Sequence, residues 1–320
     1  MTSISRPVRA LASSMVVLVA ACDSKMQVPT QPNDASRLSL QIVSAAQPIT
    51  GVWSAVVTEA TDLNNASFGR PPSEWIGKTV TGSLSIHLAV PGVGDRNPDP
   101  NVWEFGPVPG PGPFIEFVTA RAVIDGQAFQ TSSAGYQTIF FGDVVSIANN
   151  SNVQPSFNPQ DSFVGVGPAG IGRQIVGFDA SFAPGGVSFD GANLTINPDL
   201  LQFGRGLIDD LLETGGIVLR QGTITFSLTK VSISPVGALM EDIIDLVGLG
   251  TLQADQVAGL VDKINSIALK LETGNARPAC NQLASFINQV RAFVESGDIP
   301  SAAGQSLTDQ SQVIRGGLGC

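Results

Sequence analysis

Over most of the chain, apolar residues alternate with polar ones; near the C-terminus they step by three and four instead. Leu84, Ile86, Leu88 and Val90 alternate with Ser83, Ser85, His87 and Ala89, and Val176, Phe178, Ala180 and Phe182 alternate with Gly177, Asp179 and Ser181. Period two marks strands with one buried and one wet face, the habit of antiparallel sheets. The pattern predicts strands from Leu38 to about Ile233, with Ser83, Ser85 and His87 on the wet side. Asp190-Gly191 sits between short apolar runs in Val187–Ile196 and predicts a hairpin turn. In Gly222–Ser234 the apolar phase moves from Ile224, Phe226 and Leu228 to Val231 and Ile233, a slip near Thr229-Lys230 of the kind a β-bulge produces. One segment breaks the pattern. Leu200, Phe203, Leu207, Leu211 and Leu212 lie at near-helical spacing, weakened by Gly204 and Gly206, which predicts at most a short helix across a sheet end. No strand alternates with a long helical stretch, so βαβ folds are disfavoured and an antiparallel β-sandwich is expected over 38–234.

Beyond Pro235 the period becomes helical: Val257, Leu260, Ile264, Ile267 and Leu271 fall on one face, as do Cys280, Leu283, Ile287, Val290 and Val294. Ala238–Leu260 aligns without gaps on Ser285–Leu307, with Gly250 on Gly297, Leu252 on Ile299 and Leu260 on Leu307. Each copy reads as helix, glycine-containing turn, helix, so 235–320 is expected to be a doubled helical hairpin, a small four-helix unit. Gly250 and Gly297 suit the left-handed residue that ends a helix, and Pro300 suits a helix start. The fold class is therefore mainly β with a C-terminal α module.

Composition narrows the setting. Charged residues are only 14% of the chain, and 35 Gly with 21 Pro suit a turn-rich exported β protein better than a Lys- and Glu-rich cytosolic enzyme. A formal net charge of −10 without a basic stripe argues against nucleic acid and against charge-driven membrane binding. Arg6 and Arg9 precede an apolar run, Ala10–Ala20, too short to span a bilayer and of signal-peptide length. Val19-Ala20-Ala21-Cys22 resembles a bacterial lipobox, which implies a signal peptide over 1–21, lipidation of Cys22 and anchoring by its acyl chains; the alternative is ordinary cleavage after an A-x-A-like site. Residues 22–37, aperiodic and with two prolines in Asp23–Ser36, read as a flexible tether.

Gly274-Asn275, Cys280-Asn281-Gln282-Leu283, Phe286-Ile287-Asn288-Gln289-Val290, Gly297-Asp298-Ile299 and Gly304-Gln305-Ser306-Leu307 together resemble the C-terminal helical module called FIMAH. That module is appended to many secreted and surface bacterial proteins. The resemblance covers residues 238–320 and implies an extracytoplasmic accessory unit; it supplies no catalytic residue. The copy departs from the family's pattern near Asp309–Gln312 and lacks the histidine some members carry near Phe286-Ile287. Gly77–Leu88 and Ser188–Leu194 resemble stretches of β-domains in bacterial surface proteins, over too few residues to imply a function.

Three cysteines then divide their roles. Cys280 and Cys320 have no histidine or further cysteine at ligand spacing, and His87 is the one histidine in the chain, so a metal site or thiol catalysis is disfavoured. An antiparallel pairing of the last two helices would bring Cys280 beside Cys320, and export would supply the oxidising compartment for a disulfide.

The remaining motifs are weaker. Gly165–Gly170 spells G-x-G-x-x-G, but Pro168 interrupts it and a strand rather than a helix follows, which argues against a nucleotide. Ser227 and Lys230 have S-x-x-K spacing, but in a strand pattern. His87 on a polar face reads as solvated, with a Ser-His-Asp arrangement as the alternative. Asp95, Asn97, Asp99 and Asn101 place oxygens at alternate positions as calcium loops do, yet Pro100 and Gly106 stand where such a loop wants Gly and Glu, so a proline-stiffened turn is favoured over Ca²⁺. Trp103 beside that turn is a candidate sugar platform, with Trp53, Trp75 and Tyr136 as further aromatic candidates against the commoner core role. Glu59, Glu74, Glu104 and Glu116 are the acids from which a glycoside-hydrolysing pair would be drawn. The expectation is an exported, lipid-anchored, non-catalytic protein of the bacterial cell envelope, periplasmic or at the surface, without a resident cofactor. Its partners would be the membrane, through the lipid, and a glycan or another envelope protein. The alternative is a carbohydrate-binding or glycoside-hydrolysing surface protein.

Overall fold

The computed structural model describes residues 48–320, apart from 91–92, 96, 98–101, 108–115, 132–137, 142, 150–153 and 191–192. In chain order the strands are β1 (Ile49–Asp62), β2 (Thr79–Ile86), β3 (Val93–Asp95), β4 (Val102–Pro107), β5 (Val118–Ile124), β6 (Gln127–Gln130) and β7 (Thr138–Phe141). They continue with β8 (Val144–Ala148), β9 (Ser156–Gly167), β10 (Gly170–Phe182), β11 (Val187–Phe189), β12 (Leu194–Ile196), β13 (Leu201–Thr214) and β14 (Ile217–Ile233). Four helices follow: α1 (Gly237–Gly248), α2 (Ala254–Glu272), α3 (Ala276–Ser296) and α4 (Ser301–Gly317). The molecule is mainly antiparallel β with a C-terminal helical module, as the two periodicities predict.

One twelve-stranded sheet runs in the order β3-β4-β8-β9-β10-β13-β14-β1-β2-β5-β6, with β7 paired to β9; β11 and β12 form a separate hairpin. The sheet folds over itself, so β5 meets β9 and β10, and β6 meets β10. That folding makes the sandwich. Its interior is filled by every second residue of the long strands, including Val176, Phe178, Ala180 and Phe182 of β10 and Trp53, Ala55 and Val57 of β1. Trp53 stacks on Phe226 at 5.1 Å between ring centroids.

Two sequence expectations are corrected here. Leu201–Thr214 is strand β13, not a short helix. The apolar residues mimic helical spacing because the inward positions Gly204 and Gly206 carry no side chain. A Cβ on Gly206 would lie 2.2 Å from the Phe226 ring, and one on Gly204 would lie 2.5 Å from Leu228. The large side chains of β14 occupy the volume that β13 leaves open. The second correction concerns β2, whose polar face is dry: Ser83 and Ser85 are 1% and 3% exposed. Helix α1 packs on the outer face of β1, β2, β5 and β6. There Val52 and Val123 join Leu239, Met240, Ile243 and Ile244 in a second hydrophobic core.

The other features appear as expected. Ser54 pairs with Lys230 and Ala55 with Leu228, so Thr229 is the extra residue of a β-bulge. Val187–Phe189 and Leu194–Ile196 pair as an antiparallel hairpin; Gly191 lies outside the described residues. The repeat is structural as well: Leu252 and Ile299 are both buried, as are Leu260 and Leu307, and Gly250 and Gly297 both have left-handed backbone, at φ 69° and 84°. Each helix packs on the next, and α4 also packs on α1, so the four close into a bundle. Cys280, near the start of α3, and Cys320, after α4, form a disulfide with 6.3 Å between Cα atoms.

The sandwich and the bundle belong to one compact unit. Polar contacts join them: Lys230 of β14 pairs with Glu272 of α2 at 2.5 Å, while Arg121 of β5 pairs with Glu241 of α1 and, at 2.7 Å, with Asp245. Among the described residues no helix is long and apolar enough to cross a membrane.

Candidate functional site

A cleft of about 290 Å³ opens where the edge strand β6 approaches β10 and β13. Strand register builds its floor. Gln174 of β10 lies opposite Asp210 of β13, which lies opposite Gly222 of β14. Paired residues in neighbouring strands share a face, and so do positions two apart, which brings Arg220 beside Asp210. Arg220 holds Asp210 through two contacts of 2.5 and 2.9 Å, and Gln174 Nε2 donates to Asp210 Oδ1 at 3.2 Å. Gln127, Gln130, Phe129, Ser67 and Phe68 supply the walls. On the opposite face of β13, Asp209 accepts two bonds from Arg173, the shorter 2.7 Å, and one from Thr223. Asp210, the acid of the floor, is thus paired with arginine, and the cleft offers amides, a hydroxyl and aromatic edges. Such a surface suits an uncharged polar ligand better than an ion.

A second polar cluster lies inside the sandwich, at the seam where β5 meets β9 and the residue just ahead of β8. The buried Asp143 carboxylate accepts the backbone N–H groups of Phe117 and Val118 on Oδ2, at 2.8 and 3.0 Å, and that of Ser162 on Oδ1. Asp161 accepts the N–H of Ala120 on Oδ2, and its Oδ1 lies 2.7 Å from the Thr131 hydroxyl. These carboxyls take the place of a strand partner along the start of β5, whose ladder to β6 begins only at Arg121. Burial raises Asp143 to about 6 against the pull of its backbone donors. It raises Asp161 to about 8, with the charge of Asp143 adding to the effect. Burial also holds the neighbouring Glu116 above the usual carboxylate range, although Arg121 opposes it.

The residues singled out from sequence do not converge. Asp95 Oδ1 accepts the backbone N–H groups of Asn97 and Glu104, both at 3.0 Å, the chemistry of a tight turn; Asp99 and Asn101 lie outside the described residues. Among the described residues no cluster of three or more His, Cys, Asp or Glu could hold a metal. Trp103 is half-buried and packs edge-on against Phe189 at 5.1 Å, among the residues that line the sandwich core. Trp53 and Trp75 are core residues, and Tyr136 lies outside the described residues. None of Glu59, Glu74, Glu104 and Glu116 lines the cleft. His87 follows β2 and is exposed; burial of part of the ring lowers its pKa. Its Nε2 lies 3.2 Å from Ser85 Oγ, and Ser85 itself is buried. Lys230 is ion-paired with Glu272, which accounts for one half of the S-x-x-K spacing. Gly165–Gly170 is the turn region between β9 and β10, an antiparallel hairpin without a helix to receive a phosphate. Cys22 lies outside the described residues.

Sequence reasoning passed over Asp143, Asp161, Asp210 and Arg220. One signal was available for Asp210: an Asp-Asp pair inside an otherwise apolar strand must bury at least one acid, and a buried acid needs a cation or donors. Asp143 and Asp161 carry no local signal, because their partners come from a strand some twenty to forty residues away. Comparison of the chain with protein-family models, with curated proteins and with solved structures returns no significant match.

Proposed function

We propose that this chain is an exported, lipid-anchored, non-catalytic binding protein of the bacterial cell envelope, whose cleft between β6, β10 and β13 takes an uncharged polar ligand of the glycan class. The Cys280–Cys320 disulfide carries the part of this reading that concerns location, since disulfides persist in oxidising compartments. The V-A-A-C sequence at Cys22 supports the anchor, and the FIMAH-like spacing over 238–320 supports an extracytoplasmic accessory role for the bundle. A binding role is supported by the chemistry of the cleft. Its Asp210 is committed to Arg220 and Gln174, and Asp209 to Arg173 and Thr223, so these acids are occupied in holding the sheet. Gln174, Gln127 and Gln130 bring amide donors and acceptors of the kind that recognise hydroxyls.

Two measurements test the reading separately. Fatty-acid labelling in a bacterial host should mark the natural chain and be lost in Cys22→Ser; labelling that persists in the variant overturns the anchor. A glycan array, run with and without calcium, should give binding that weakens on Gln174→Ala and is indifferent to calcium. Binding unaffected by Gln174→Ala overturns the assignment of the cleft, and release of reducing sugar from a bound glycan overturns the non-catalytic reading.

A further inference from the structure

The four carboxyl oxygens at the seam have different partners. Both oxygens of Asp143 face backbone N–H groups: Ser162 on Oδ1, Phe117 and Val118 on Oδ2. A backbone N–H only donates. Protonating Asp143 on either oxygen would set a donor against a donor and break a buried hydrogen bond. Asp161 is different. Its Oδ2 faces the N–H of Ala120, but its Oδ1 faces the hydroxyl of Thr131, which can donate or accept. Asp161 can therefore carry a proton on Oδ1 without losing a partner. Two ionised carboxylates in one dry seam repel each other, and a proton on one of them removes that repulsion.

We infer that the seam holds a single proton near neutral pH, carried by Asp161 on Oδ1 and donated to Thr131 Oγ1, while Asp143 stays ionised and tethers the start of β5. Loss of that proton places a second negative charge inside the sandwich and loosens the joint between β5 and β9, a pH-sensitive latch on the fold. The order of the two groups agrees with the hydrogen-bond argument, Asp161 titrating near about 8 and Asp143 near about 6. Among the described residues the other charges acting on the pair are Glu116, ahead of β5, and through it Arg121 on β5. The sign follows from proton counts. The unfolded carboxyls titrate near 3.8, so between about pH 4 and about 8 the folded chain binds more protons than the unfolded one. Stability contributed by the latch is complete at the acid end, falls as pH rises through that window, and is flat above it.

Denaturant midpoints measured from about pH 5 to about pH 9 distinguish the two carboxyls. Asp161→Asn retains an acceptor for Ala120 and a donor for Thr131. It should keep the natural midpoint at the acid end and lose most of the decline towards the alkaline end. Asp143→Asn sets an amide N–H against backbone N–H groups and should lower the midpoint at every pH. Equal losses in the two variants, or an unchanged pH slope in Asp161→Asn, overturn the inference. Where a variant does not fold, infrared titration of the natural chain with isotope-labelled aspartate decides instead. A protonated aspartic-acid carbonyl band should be present at neutral pH and vanish with a midpoint near about 8. Absence of that band at neutral pH overturns the assignment.

Discussion

Single residues carry the tightest constraints at positions where the side chain is missing. Gly206 lets the Phe226 ring lie flat on β13, and Phe226 in turn stacks on Trp53, so one absent methyl supports an aromatic stack in the middle of the sandwich. Gly206→Ala puts a carbon 2.2 Å from that ring. It should destabilise the fold by about 1–3 kcal/mol, the usual cost of overpacking a filled core. Denaturant unfolding followed by tryptophan fluorescence measures this, and a loss near zero would mean that Phe226 has room to move aside. The same glycines explain the misread segment: apolar spacing in Leu200–Leu212 is a poor guide when the core-facing positions are empty. Trp103 and Asp95 teach a related lesson. Both belong to residue types used for recognition, yet one is packed against Phe189 and the other ties a turn. Only their neighbours distinguish these uses.

At the scale of elements, the helical repeat was legible almost completely. Three-four spacing, paired glycines and the ungapped alignment placed the helices and their turns, because each hairpin is specified by residues close in sequence. The disulfide follows from that local order, since antiparallel α3 and α4 return Cys320 to the start of α3. Replacing both cysteines (Cys280→Ala with Cys320→Ala) should cost about 2–4 kcal/mol, the chain-entropy value for a loop of 40 residues lying near the upper end. Calorimetry of the natural chain with and without reductant should give a matching fall in melting temperature; reductant without effect would mean that the bundle is held by packing alone. The strands were legible by period, and even the bulge at Thr229 was visible as a phase slip. Strand neighbours were not, because β5 and β9 are brought together by folding of the whole sheet rather than by any local turn.

At the scale of the molecule, the sandwich and the bundle depend on one another. Helix α1 turns Ser83 and Ser85 from a wet face into a buried one, and Arg121 crosses the junction to meet Glu241 and Asp245. Burial holds both of these acids above the usual carboxylate range while Arg121 pulls them down. Arg121→Gln leaves two acids facing each other without a cation and should cost about 2 kcal/mol at neutral pH, the contacts being partly exposed. In the variant those acids rise further, so the native state binds more protons than the unfolded one and the loss should shrink as pH falls through the carboxylate range. Urea midpoints at neutral and acid pH test the sign; a loss that grows on acidification contradicts it. By itself the sequence determined the periods, the repeat, the helix ends, the bulge and the cysteine pairing, all properties of residues near one another or of a simple antiparallel return. The burial of β2's polar face, the cleft of Gln174, Asp210 and Arg220, and the acid seam of Asp143 and Asp161 were decided only in three dimensions. Each depends on which surfaces meet when the sheet closes and α1 lies on it, and a buried polar group becomes meaningful only once its distant partner is in place.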